Sequence, residues 1–136
     1  MSGARILVVD DNPTNLKLVS YVLAFEGYEI VNAIDAESAQ EIIERSPPDL
    51  ILMDIALPGM DGLSLTRLLK ADARTRHIAI VALTAYAMKG DDAKARDAGC
   101  DGYITKPIDT RKLPGLVAGY LQRSADRNAA HENPGH

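Results

Sequence analysis

Residues 50–54 read Leu-Ile-Leu-Met-Asp, four consecutive apolar residues that end in a carboxylate. A short, unbroken apolar run is typical of a strand buried on both faces of a parallel sheet, because a strand with one wet face alternates apolar and polar residues. Asp54 would then lie at the carboxyl end of its strand. Ile6-Leu7-Val8-Val9, followed by Asp10-Asp11, repeats this pattern nearer the N-terminus. Two acidic strand ends are therefore predicted at one edge of a parallel sheet.

Strand and helix patterns alternate outward from these two runs. Asn12-Pro13 is a helix-start pair, and the helix after it carries an apolar face of Leu16, Val19 and Leu23, extended by Val22 and Phe25. Three more strands are predicted over residues 28–33, 78–83 and 102–105, each followed by a helical pattern. Five successive βα units favour right-handed crossovers. The predicted fold is therefore α/β, a doubly wound parallel sheet with helices on both faces.

The bulk composition fits one domain and excludes several functions. The chain has 136 residues, a formal net charge of −4 and no Lys/Arg run, so it lacks the basic footprint for nucleic acid or an acidic membrane. Cys100 is the single cysteine, and no signal peptide or long apolar segment is visible, which favours the cytoplasm.

The last predicted helix is the least regular of the five, and a polar segment follows it. Pro114 either kinks this helix or marks its first position. Residues 124–136 are polar and without periodicity, so they are predicted to be a disordered tail after a domain of residues 1–123.

Polar residues end four of the five strands. Asp10-Asp11, Asp54, Thr84 and Lys106 should share one pocket, because functional groups gather at the carboxyl edge of such a sheet. Three neighbouring carboxylates repel one another, and an oxygen-only ligand set suits Mg²⁺. Asp54 stands alone at its strand end, so it is the better candidate for a nucleophile that forms an acyl phosphate.

Four segments carry a family resemblance. They are Val-Val-Asp-Asp-Asn-Pro at 8–13, Leu-Met-Asp-Ile-Ala-Leu-Pro-Gly-Met-Asp-Gly at 52–62, Leu-Thr-Ala at 83–85 and Ile-Thr-Lys-Pro at 104–107. Over about residues 4–123 the chain resembles the receiver domain of two-component response regulators. Residues 84–92 are similar to single-domain regulators of the DivK type. The resemblance implies a flavodoxin-like fold with five helices and strand order 2-1-3-4-5.

The resemblance also implies a role for each site residue. Asp54 would be the phosphoacceptor. Asp11, Asp54 and the backbone carbonyl of Ala56 would bind Mg²⁺ directly, and Asp10 would act mainly through water. Contacts to the phosphoryl group would come from Thr84 and Lys106, and the Lys106–Pro107 bond would be cis. Tyr103 would be the aromatic switch, although from the sequence alone a half-buried core aromatic is equally plausible there.

The implied function is a phosphoacceptor switch that assists its own phosphorylation and dephosphorylation rather than an enzyme with a separate substrate. The phosphodonor would be a histidine kinase or a histidine phosphotransfer protein that docks near the helix beginning at Pro13. The fourth helix, fifth strand and fifth helix would form the responsive face, in a monomer or weak dimer. No DNA-binding or catalytic segment follows the domain in this sequence, so we expect output through contact with a downstream protein, without nucleic acid or membrane.

Two other functions remain open on the sequence. Phosphatases of the haloacid dehalogenase type also use Mg²⁺ and an aspartyl nucleophile, but at the end of the first strand with a second Asp two positions on, where this chain has Asn12. Turnover of a phosphomonoester would identify such an enzyme. A receiver fold that signals without phosphorylation is the other possibility, and loss of function on Asp54→Ala would argue against it.

Overall fold

The computed structural model describes residues 3–57, 59–85 and 90–132. Within these ranges five strands alternate with five helices. The elements are β1 (Arg5–Val9), α1 (Pro13–Phe25), β2 (Glu29–Ala33), α2 (Ala36–Arg45), β3 (Leu50–Asp54), α3 (Gly62–Ala71), β4 (Ala79–Thr84), α4 (Asp91–Ala98), β5 (Gly102–Thr105) and α5 (Leu113–Glu132). In this part of the chain, no helix has both the length and the apolar character needed to cross a lipid bilayer.

All five strands form one parallel sheet in the order β2-β1-β3-β4-β5. Both the doubly wound architecture and the strand order are therefore confirmed. β3 and β4 are buried along their whole length, as the unbroken apolar runs predicted. Alternate residues of each strand face opposite sides of the sheet, where one core layer packs against α2, α3 and α4 and the other against α1 and α5.

α1 begins as predicted. The Asn12 side chain accepts hydrogen bonds from the backbone N–H groups of Thr14 and Asn15, and Pro13 takes the first helical position. Leu16, Val19 and Leu23 are buried, but the side chain of Phe25 is 82% exposed. Phe25 lies nine positions after Leu16, which is about two and a half turns at 3.6 residues per turn and places it on the side of α1 opposite Leu16. Including Phe25 in the apolar face was therefore wrong.

α5 departs most from the expectation. Pro114 is its second residue, so of the two alternatives the helix start is correct. The helix continues to Glu132, so disorder from Ser124 onward was wrong for residues 124–132, while residues 133–136 lie outside the described chain. Ser124 is buried and its hydroxyl donates to the carbonyl of His77, and Arg127 pairs with Asp101 at 2.9 Å. Polar contacts of this kind leave no apolar period in a sequence.

The start of α3 lies directly against the end of β3. Asp61 caps the helix by accepting from the N–H of Ser64, and Gly62 is its first residue. A Cβ atom on Gly62 would overlap the carbonyl oxygen of Asp54 and crowd the side chain of Met53. Glycine is therefore required here because the helix touches the strand backbone, which fixes the position of Asp54.

Candidate functional site

The predicted site residues meet at the carboxyl edge of the sheet. Asp10 follows β1, Asp54 ends β3, Thr84 ends β4 and Lys106 follows β5. The backbone N–H of Lys106 donates to the carbonyl of Thr84 at 2.7 Å, which holds the segment after β5 against the end of β4. The parallel topology thus brings residues separated by up to 96 positions to one place.

The three carboxylates form a tight cluster. Asp10, Asp11 and Asp54 each offer an oxygen, and these oxygens lie within 4.8 Å of one another. Asp10 is fully buried and Asp54 is 3% exposed, whereas Asp11 faces solvent. Two buried carboxylates and one solvent-exposed carboxylate can together bind a cation that keeps part of its water shell.

Lys106 supplies the positive charge within this cluster. Its ammonium nitrogen lies 3.0 Å from Oδ2 of Asp54 and 3.5 Å from Oδ2 of Asp10. Burial alone would lower the pKa of Lys106, but the hydrogen bond and the charge of Asp54, together with the charge of Asp10, raise this pKa above its ordinary value. Lys106 therefore stays protonated and links the two buried carboxylates.

Asp10 is fixed by short-range hydrogen bonds from the start of α1. The backbone N–H of Asn12 donates to its Oδ1 at 2.9 Å, and Nδ2 of Asn15 donates to its Oδ2 at 3.3 Å. Burial raises the pKa of Asp10, and the nearby charge of Asp54 adds to this, against the lowering effect of these bonds and of Lys106. Asn15 was not among the site residues predicted from the sequence. The available signal was an amide in the first helical turn, whose side chain can reach back to the strand end.

The backbone beyond β3 also contacts the cluster. The N–H of Ala56 donates to Oδ1 of Asp54 at 2.9 Å, so the two oxygens of Asp54 have separate partners, Ala56 and Lys106. Ala56 itself is exposed. These two hydrogen bonds hold the Asp54 carboxylate in one orientation at the end of β3.

Thr84 and Tyr103 differ in their surroundings. Thr84 is 1% exposed, while the side chain of Tyr103 is 38% exposed at the second position of β5. The ring of Tyr103 is therefore neither fully buried nor fully exposed, and its role as a switch stays a prediction. The Lys106–Pro107 peptide bond is cis, as the resemblance implied.

Comparison with known proteins identifies the family. Residues 6–118 match the model of the response regulator receiver domain, which covers more than four-fifths of the chain and every element from β1 into α5. The chain belongs to the response regulator receiver domain family. The family resemblance seen in the sequence is therefore confirmed.

Relatives of this receiver domain include a curated protein and solved structures. It is 40% identical over 116 residues to the polar-differentiation response regulator DivK of Brucella ovis, an alignment that covers 85% of this chain and 94% of that protein. A CheY-like receiver domain protein from Methanospirillum hungatei superposes with a TM-score of 0.83 and 33% identity, covering 93% of this chain and 99% of the other.

A third relative carries a metal ion. The receiver domain of the sensor histidine kinase PA1611 from Pseudomonas aeruginosa superposes with a TM-score of 0.82 and 36% identity, covering 89% and 99% of the two chains. That structure has a magnesium ion coordinated in its active-site cleft. Among the described residues of the present chain, the acidic cluster is the group of side chains that fits such an ion.

Proposed function

We propose that this receiver domain is a single-domain response regulator that accepts a phosphoryl group on Asp54 and signals through protein–protein contacts. The observation that carries the proposal is the environment of Asp54. Its buried carboxylate lies 3.0 Å from a lysine ammonium group and within 4.8 Å of two further carboxylates. A carboxylate that is held in one orientation next to a cation is suited to act as a nucleophile toward phosphorus.

The acidic cluster fits Mg²⁺. Asp11 and Asp54, with the backbone carbonyl of Ala56, would hold the ion, and Asp10 would act mainly through water. These are oxygen donors, and the exposed position of Asp11 leaves room for water ligands, which Mg²⁺ retains. When bound, the ion neutralises charge that builds up on the phosphoryl oxygens.

The proposed transfer starts from a phosphohistidine of the donor. An oxygen of the Asp54 carboxylate forms the new bond to phosphorus, and the bond from phosphorus to the imidazole nitrogen breaks, with the electron pair leaving on that nitrogen. Lys106 exchanges its bond with Asp54 for one with a phosphoryl oxygen, so its charge stays beside the oxygens that become negative. The hydroxyl of Thr84 binds another of these oxygens.

The signal would leave the site through the same residues. The acyl phosphate on Asp54 carries roughly two negative charges in place of the single charge of the carboxylate, next to the ends of β4 and β5. Movement of Thr84 toward the phosphoryl group would free space into which the half-exposed ring of Tyr103 can turn. We infer that this change is recognised by a downstream protein on the face of α4, β5 and α5.

A phosphodonor protein would dock on α1, beside the site. Leu18, Tyr21 and Phe25 are three, four and seven residues apart, so they form one stripe, and their side chains are 41%, 75% and 82% exposed. Exposed apolar patches of this kind mark protein-binding surfaces, and the helix begins at Pro13, three residues after Asp10. A histidine kinase or a histidine phosphotransfer protein that lies along α1 would bring its phosphohistidine to Asp54.

The decisive experiment is intact-mass spectrometry after incubation with Mg²⁺ and a small acyl phosphate. The wild-type protein should gain about 80 Da, one phosphoryl group, in a base-labile adduct that requires Mg²⁺. Asp54→Asn should gain nothing, while Asp97→Asn, which removes an exposed carboxylate of α4, should behave as wild type. An unmodified wild-type chain with every donor tested, including a kinase, would point to a receiver fold that signals without phosphorylation.

Docking is tested separately by comparing two donors. Tyr21→Ala should slow phosphorylation by a cognate kinase or phosphotransfer protein, but leave phosphorylation by a small acyl phosphate unchanged because that donor needs no surface. Leu68→Ala is the matched control, since Leu68 is an exposed apolar residue on α3, on the other side of the sheet. Equal rates for Tyr21→Ala and Leu68→Ala with the protein donor would contradict docking on α1.

A further inference from the structure

Asp10 depends on few hydrogen-bond donors for its orientation. The residue is completely buried, and a buried carboxylate that lacks partners is costly. Oδ1 accepts from the backbone N–H of Asn12, which any residue at that position would provide. Oδ2 has two side-chain partners in the described chain, Nδ2 of Asn15 at 3.3 Å and the ammonium group of Lys106 at 3.5 Å.

Lys106 is less suited than Asn15 to hold Asp10 in one orientation throughout the reaction. Its closer partner is Asp54 at 3.0 Å, and in the proposed function the ammonium group moves to the phosphoryl oxygens. Oδ2 of Asp10 then keeps Asn15 as its side-chain donor. Asn15 is well placed for this, because it lies in the first turn of α1, which Asn12 and Pro13 fix to the end of β1.

We propose that Asn15 is a positioning residue for the metal site, acting through Asp10. Its carboxamide holds one oxygen of Asp10 and so fixes the direction in which this carboxylate faces the ion and its water shell. The inference rests on the proposed function, since it concerns the same site. It adds a residue outside the carboxylates, the hydroxyl and the lysine that form the site itself.

The expected effect is on metal affinity. Side chains that hydrogen-bond to metal-binding carboxylates typically contribute 10–100-fold in affinity. Asn15→Leu removes the donor but keeps a similar volume and a good helix former, so α1 should persist. We expect the dissociation constant for Mg²⁺ to rise about tenfold. Thr14→Val is the matched control, because Thr14 is its exposed neighbour in the same turn.

Two measurements separate positioning from a general loss of structure. Mg²⁺ is titrated into each metal-free protein and followed by amide chemical shifts, and thermal unfolding is recorded in a chelator. Asn15→Leu should bind Mg²⁺ more weakly while melting close to wild type. In the same metal-free spectra the amide signal of Asn12, whose N–H bonds to Asp10, should shift in Asn15→Leu and stay in place in Thr14→Val.

The rate of phosphorylation by a small acyl phosphate gives a further test. For Asn15→Leu the rate should fall at low Mg²⁺ and return toward the wild-type value at saturating Mg²⁺. Affinities for Mg²⁺ that agree within twofold between Asn15→Leu and wild type would overturn the positioning role and leave the proposed function standing. An equal loss in Thr14→Val would also overturn it. A wild-type protein that binds no Mg²⁺ would overturn both.

Discussion

Replacing Asp54 by Asn should make the metal-free protein more stable. At an effective dielectric constant of about 20, the attraction between Lys106 and Asp54 at 3.0 Å is worth about 5.5 kcal/mol. The repulsion between Asp54 and Asp10, whose oxygens lie within 4.8 Å, is at least about 3.5 kcal/mol on the same scale. Asp11 adds a smaller repulsion, because it is exposed and water screens it. The charge interactions of Asp54 therefore nearly cancel.

The cost of burying the Asp54 charge then decides whether Asp54→Asn raises or lowers the free energy of unfolding. Keeping an ionised carboxylate out of water costs several kcal/mol, and Asp54 is 3% exposed. The side chain of Asn can accept only one of the two hydrogen bonds that Asp54 now accepts, from Ala56 and Lys106. Losing the other bond offsets about 1 kcal/mol of the gain. We expect a net gain of about 1–3 kcal/mol in the free energy of unfolding, and a rise in Tm of roughly 5 °C for a domain of this size.

The assay is thermal unfolding by circular dichroism in a chelator and then with added Mg²⁺. The advantage of Asp54→Asn should shrink when Mg²⁺ is present, because an ion at 100 times its dissociation constant stabilises the wild type by about 2.7 kcal/mol. Asp97→Asn, at an exposed position, should change stability by less than about 0.5 kcal/mol. An unchanged or lower Tm for metal-free Asp54→Asn would refute the idea of a crowded acidic pocket.

Three further outcomes are expected. Gly62→Ala should lower the free energy of unfolding by about 3 kcal/mol in urea, because its Cβ meets the backbone of Asp54, whereas Gly115→Ala, with open space around it, should be neutral or stabilising. Burial raises the pKa of Asp10, so the folded protein keeps a proton on this carboxyl group to higher pH than the unfolded chain does. The stability that this protonation contributes is therefore lost as pH rises through the folded pKa. In a chelator, the stability of Asp10→Asn relative to wild type should therefore grow as the pH rises above about 4, and a difference that does not change with pH would contradict this. Arg127→Ala should lower the free energy of unfolding by less than about 1 kcal/mol, with the effect decreasing in high salt, because the pair with Asp101 is half-exposed on the arginine side.

The strands were the most predictable part of the structure from residue pattern, and their order was predicted by the family resemblance. A residue run such as Leu50–Met53 is buried on both faces, so its composition alone reports its position. The convergence of Asp10, Asp54 and Lys106 followed from topology, because parallel strands place all their carboxyl ends at one edge. The packing of Gly62 against the backbone of Asp54 could not be seen in the sequence, where Asp61-Gly62 indicated only a turn and a helix start.

The errors have a common physical origin. Phe25 is apolar yet points to solvent, because helix phase and not hydrophobicity fixes the side on which it lies. Ser124 and Arg127 are polar yet contact the domain, because their partners are a backbone carbonyl and a carboxylate on distant elements. The hydrogen bond from Asn15 to Asp10 is similar. Pattern analysis reports burial of apolar surface, and contacts between polar groups leave no periodic trace.

The two halves of α5 should behave as separate units in hydrogen exchange. Leu113, Val117 and Leu121 anchor the first half in the core, whereas the described hydrogen bonds from residues beyond Leu121 to other parts of the domain go to His77 and Asp101. Unwinding the distal half would expose little apolar surface, so its amides can exchange through local opening. The amides of the first half should exchange only when the whole domain unfolds. The distal half is thus a segment that a pulling force could detach or a protease could cleave while the sheet and the proposed phosphorylation site stay intact.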